Sequence, residues 1–201
     1  MKMYCNEEIS LQIAEKVHPS VVRVVPAGVR NMTAEGSGFV VLNIDLSGDE
    51  DRSIYILTAA HVTSGSKNIT VHFSKSNILS ANLIACNDRM DLALLHISEP
   101  CKISSDSVHG KHSDFIPLPL PLTLMSQAPK VGQLAFANGY LPLRKQMEGI
   151  VMTSGIVCGM SKGVGVNSNR EDSNTTYILT NAGMAPGMSG GPVVDKNGLG
   201  K

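Results

Sequence analysis

A serine enclosed by glycines stands near the end of the sequence, in Gly187-Met188-Ser189-Gly190-Gly191. Glycine on both sides lets the chain turn tightly, exposes the hydroxyl and frees neighbouring N–H groups to meet developing negative charge. A serine hydroxyl is a poor nucleophile near neutral pH and needs a base, a task suited to histidine. His61 has a distinctive setting, Leu57-Thr58-Ala59-Ala60-His61-Val62, and Asp91 opens the apolar run Asp91-Leu92-Ala93-Leu94-Leu95. An aspartate that accepts a hydrogen bond from the second ring nitrogen would hold the tautomer and stabilise the imidazolium. Together these types offer acyl transfer through a covalent serine ester. Alone, the glycine-rich pentapeptide also suits an ordinary β-turn.

Chain order separates the catalytic alternatives. The pentapeptide fits the Gly-x-Ser-x-Gly nucleophile elbow of α/β-hydrolases, but that arrangement needs its acid and histidine after the serine. Twelve residues follow Ser189 and none is histidine. The order His61, Asp91, Ser189 is the chymotrypsin-type order. Asp88 competes with Asp91 but does not begin the alternating strand. His18, His72, His96, His109 and His112 have no supporting motif.

These segments resemble the trypsin-like serine proteases, and within them the HtrA or Deg type. The matching stretches are Thr58-Ala59-Ala60-His61-Val62, Asp91-Leu92-Ala93-Leu94-Leu95 and Pro186-Gly187-Met188-Ser189-Gly190-Gly191-Pro192. His18-Pro19-Ser20-Val21-Val22, Gly36-Ser37-Gly38-Phe39-Val40 and Thr153-Ser154-Gly155-Ile156-Val157 fall in register, so the likeness covers residues 9–197. It implies an all-β fold of two antiparallel six-stranded β-barrels with a short N-terminal helix, and a serine endopeptidase. His61, Asp91 and Ser189 would be the catalytic residues, and the N–H groups of Gly187 and Ser189 the oxyanion hole. Gly183, Met184 and Ala185 would line an uncharged substrate pocket, suited to a small or medium aliphatic side chain. Polypeptide substrates in protein quality control or processing are implied, with no cofactor, no metal and a homotrimer as the family's assembly. The alternative is a protease-like binding or chaperone module that does not cut.

Three departures stand out. Met188 occupies a position where HtrA proteases usually carry asparagine. No cysteine flanks His61 or Ser189, which argues for an intracellular or organellar protein over a disulfide-bracketed secreted one. After Ser189 the fold still needs strands, so the second barrel is expected to be incomplete in this chain. Asn138-Gly139-Tyr140 and residues 160–173 fall where HtrA proteases carry regulatory loops.

The elements that must position these residues follow from pattern. The chain has 201 residues, of which 42% are hydrophobic and 17% charged, a composition that excludes a disordered chain. Seventeen basic residues balance 17 acidic ones, which removes any electrostatic case for nucleic acid. No apolar run reaches membrane-spanning length and the first residues lack a signal-peptide pattern, so a soluble protein is expected. Ile9, Ile13 and Val17 recur every four positions and Pro19 closes them, which predicts a helix over 6–17. Runs rich in β-branched residues predict strands at 20–25, 36–44, 53–58, 68–73, 78–85, 91–97, 133–138, 149–158, 176–180 and 192–194. The predicted division is an N-terminal segment 1–19, a first barrel 20–97, a linker 98–114 and a second barrel 115–201. Pro117, Pro119 and Pro121 alternate with leucines and predict an extended edge. Cys5, Cys86, Cys101 and Cys158 show no metal-like spacing and are expected as free core thiols.

Overall fold

The computed structural model describes residues 4–27, 35–45, 51–63, 66, 68–75, 77–100, 120–141, 149–163 and 172–200. Six strands make the first half: β1 (Val21–Pro26), β2 (Gly36–Asp45), β3 (Asp51–Thr58), β4 (Ile69–His72), β5 (Ile78–Asn87) and β6 (Leu92–Pro100). They close into an antiparallel barrel in the order β1-β2-β3-β6-β5-β4. Alternation dictates the interior. Val22 and Val24, Ile54 and Ile56, Ile69 and Val71, and Leu95 and Ile97 recur at every second position and meet in one buried core. Closure pairs both sides of every strand, which removes the open edges that invite aggregation.

Among the described residues the second half forms a four-stranded antiparallel sheet, in the order β10-β7-β8-β9. It comprises β7 (Leu134–Tyr140), β8 (Ile150–Gly163), β9 (Asp172–Thr180) and β10 (Val193–Val194). This agrees with an incomplete second barrel, and Ile156, Met160 and Leu179 on β8 and β9 are exposed. The helix, α1 (Tyr4–Val17), binds the halves along a seam. Ile13 and Val17 pack with Val21 and Phe39 of the barrel and with Leu122, Phe136 and Val194. Lys16 Nζ also donates to the carbonyl of Asn197 at 2.6 Å. Next to Pro121, Leu122 N–H donates to the Val40 carbonyl at 2.8 Å.

Several local expectations need correction. Cys86 and Cys158 are free but exposed: β5 is exposed on both faces from Asn82 to Asn87, and Cys158 stands at the register shift between Val157 and Gly159 of β8. Cys101 and the side chain of Cys5 lie outside the described residues. Asn138–Tyr140 is not a loop but the end of β7, and residues 160–163 and 172–173 extend β8 and β9 by hydrogen-bonded pairing. Of the predicted linker, residues 98–100 continue β6, paired with residues 51–53 of β3, and the rest lies outside the described residues. Pro117 and Pro119 lie outside them too.

Between α1 and β1 runs a single 3-10 turn, His18–Ser20, with Pro19 inside it. His18 Nε2 is buried with no hydrogen-bond partner, and burial pushes the imidazole below its ordinary value of 6.5. The unfolded chain therefore binds a proton that the folded chain refuses. Above pH 6.5 both states are neutral at this residue and nothing is lost; as pH falls below 6.5, stability falls. His18→Phe is expected to flatten that acid limb, read as a smaller shift of the urea midpoint between pH 7.5 and 5.5 than in wild type.

Candidate active site

His61 sits on α2 (Ala60–Thr63), a single helical turn that the sequence pattern did not reveal. Four residues are too few for a periodic signal; one bond to another segment and one side-chain bond within the turn hold it instead. Ala60 N–H donates to the Asp91 carbonyl at 3.1 Å, and Thr63 Oγ1 donates back to the Ala60 carbonyl at 2.9 Å. Asp91 ends the turn between β5 and β6. Asn87 Oδ1 starts that turn, accepting from the N–H groups of Arg89 and Met90 at 3.1 and 3.0 Å. Asp91 has φ 53°, the only positive φ outside glycine among the described residues. Aspartate is among the few residue types that tolerate this region.

The carboxylate meets His61 twice. Its Oδ1 accepts the His61 backbone N–H at 2.9 Å, and its Oδ2 lies 2.7 Å from Nδ1 of the ring. The backbone bond fixes where the carboxylate points, and the ring bond favours the tautomer with the proton on Nδ1 and the lone pair on Nε2. Both side chains are about half exposed, at 52% and 45%.

The serine loop consists of two successive tight turns. Met188 N–H donates to the Ala185 carbonyl at 3.0 Å, with Pro186 and Gly187 between them and Gly187 at φ 96°. Proline followed by a positive-φ glycine is the pattern of a type II turn. Gly191 N–H then donates to the Met188 carbonyl at 2.9 Å across Ser189 and Gly190, the latter at φ 84°. Met188 turns inward and packs with Ala137 and Ala182. That accounts for an apolar residue beside the serine: here the position faces the core of the second half.

First-barrel residues receive the loop. Ser37 N–H donates to the Ser189 carbonyl at 2.8 Å. A Cβ on Gly190 would overlap the Ser37 carbonyl and Thr58 Oγ1 and lie 2.7 Å from Ala59 N. A Cβ on Gly36 would lie 2.7 Å from Val62 Cγ1 and 2.9 Å from the Ser189 carbonyl. The serine loop is thus packed against Thr58 and Ala59, three and two residues before His61, while Gly36 lies close to both the Ser189 carbonyl and Val62. His61 and Asp91 are joined directly, and Ser189 reaches their neighbourhood through Gly36, Ser37 and Ala59.

Gly183 accepts a hydrogen bond from Thr153 Oγ1 at 2.6 Å, and Met184 is 62% exposed. Together with exposed Ala185 these residues form an uncharged shoulder beside the loop. Sequence reasoning did not single out Ser37, Thr58 or Asn138 as individual residues. Ser37 is fully buried between two glycines of β2, and that Gly-Ser-Gly spacing was the available signal. Among the described residues no helix is long and apolar enough to cross a membrane.

Comparison with known proteins agrees with this architecture. A family model described as a trypsin-like peptidase domain matches residues 36–199. The serine protease Do-like HtrA of Bacillus subtilis is 28% identical over 166 residues, covering 83% of this chain and 32% of that protein. The serine protease HTRA1 of Xenopus laevis is 30% identical over 192 residues, covering 92% and 36%. The chain therefore spans about a third of the length of these curated relatives. The crystal structure of a serine endoprotease from Yersinia pestis superposes with a TM-score of 0.63 at 23% identity, covering 94% of this chain and 54% of that one. With its closed barrel, partial second sheet and a family match over most of its length, the chain belongs to the trypsin-like peptidase domain family, among relatives of the HtrA type.

Proposed function

We propose that the protein is a serine endopeptidase that cleaves polypeptides through an acyl-enzyme on Ser189. The observation that carries this reading is the double hydrogen bond between Asp91 and His61, at 2.9 Å to the backbone and 2.7 Å to the ring. An imidazole held this way presents Nε2 as a base. His61 takes the proton of Ser189 Oγ as the oxygen attacks the scissile carbonyl, and a C–O bond forms while the carbonyl π pair moves onto oxygen. The N–H groups of Gly187 and Ser189 receive that oxyanion. Collapse breaks the C–N bond, with His61 returning its proton to the departing amine. Water, deprotonated by the same base, then hydrolyses the ester. The uncharged shoulder at Gly183, Met184 and Ala185 favours aliphatic side chains over Lys or Arg at the cleaved position.

A fluorophosphonate probe tests the reading. Wild type is expected to label covalently, and Ser189→Ala and His61→Ala are expected not to. Absence of labelling in folded wild type sinks it in favour of a protease-like module that binds without cutting.

A further inference from the structure

We propose that Ser37, a residue of the first barrel, is a positioning residue that sets the direction of the oxyanion-binding N–H groups in the loop of the second half. The proposal rests on the reading of Ser189 as nucleophile.

Ser37 is fully buried, and each of its polar groups is engaged. Tyr140 N–H, at the end of β7, donates to Ser37 Oγ at 2.8 Å. Ser37 Oγ donates in turn to the Gly187 carbonyl at 2.7 Å. Its backbone N–H donates to the Ser189 carbonyl at 2.8 Å, and its own carbonyl accepts from Thr58 Oγ1 at 2.6 Å. One residue thereby grips the carbonyl on each side of the Met188–Ser189 peptide. The N–H of that peptide belongs to Ser189: Ser37 anchors the peptides on either side of it, and the bond from Gly191 N–H to the Met188 carbonyl at 2.9 Å holds its own plane.

The hydroxyl also has only one way to donate. Tyr140 N–H occupies it as an acceptor, so its own proton is directed to Gly187, and each bond in such a chain polarises the next. Rotation of the Gly187–Met188 peptide would leave a buried hydroxyl donor without a partner. Crowding reinforces the position: a Cβ on Gly139 would lie 2.8 Å from Ser37 Oγ and 2.8 Å from Met188 Cα. Since Thr58 lies three residues before His61, Ser37 joins the loop of the nucleophile to the strand that leads to the base.

Ser37→Ala removes the hydroxyl and keeps the backbone bond to Ser189. On a peptide ester, kcat is expected to fall at least tenfold, short of the ~10²–10³ lost with an oxyanion donor itself, while KM stays within threefold. A peptide aldehyde, which forms a tetrahedral adduct with an oxyanion, should bind weaker by a matching factor, and a cleaved product peptide equally well. A kcat within threefold of wild type overturns the proposal, as does a loss matched by a lower folded fraction. Wild type without turnover would be a failure of the protease reading instead. Amide exchange then judges Ser37: tenfold faster exchange at Met188 and Gly191, with Ile56 and Leu95 unchanged, supports it, and unchanged exchange in the loop overturns it.

Discussion

Asp91→Asn is expected to lower kcat by about 10⁴-fold while the chain stays folded. The carboxylate accepts from two donors, the His61 backbone N–H and ring Nδ1. Asparagine has one oxygen and one NH₂ to place there. With its oxygen on the backbone N–H, the NH₂ faces Nδ1 and demands a lone pair from it. The proton then moves to Nε2, and the base facing Ser189 becomes a donor. The backbone gives no second reason for loss, since Asn, like Asp, tolerates the positive φ of this position. Stopped-flow acylation with a peptide ester, beside a urea titration, separates chemistry from folding. A loss below tenfold would remove Asp91 from the proposed triad.

Gly190→Ala is expected to abolish labelling of Ser189 and to destabilise the chain by about 3 kcal/mol or more, through backbone strain and overlap together. The φ of 84° disfavours any side chain. The new methyl would also meet three first-barrel atoms, the Ser37 carbonyl, Thr58 Oγ1 and Ala59 N. None is the far end of a flexible side chain, so the loop itself must lift away, taking Ser189 from His61. Gly159→Ala on β8 is the control, because the nearest atom to its Cβ would be 3.7 Å away, an ordinary contact. Urea midpoints and fluorophosphonate labelling of the two variants read the difference.

Much of this fold was legible in the sequence because a half-buried strand writes its two faces into alternate residues. Val22 and Val24 of β1, and Leu95 and Ile97 of β6, announce both the strand and its inward side. Boundaries were less legible where pairing outruns composition. β9 begins at Asp172, in a polar stretch that only its partner β8 renders extended. The exposed thiols of Cys86 and Cys158 were misread for a related reason. Leu83-Ile84-Ala85-Cys86 looks like the middle of a buried run, yet β5 past Ala81 is exposed at every residue, and Cys86 stays exposed although its partner across the ladder is buried Ala93. Motif order sufficed to nominate His61, Asp91 and Ser189. It could not reveal the φ of Asp91 or the one-turn helix under His61, since the two are joined by hydrogen bonds between segments thirty residues apart in sequence.

The seam under α1 also bears on the order of events during synthesis. Lys16 finds the Asn197 carbonyl across a sequence separation of 181 residues, and Val17 and Val194 share one core. Contacts so distant along the chain are slow to close, because the entropy of a long loop is lost before the contact returns anything. The first barrel draws its partners from residues 21–100 and can close while the ribosome is still reading the remainder. The helix can then meet Val21 and Phe39, but the rest of its seam, Leu122, Phe136 and Val194, arrives only with the second half.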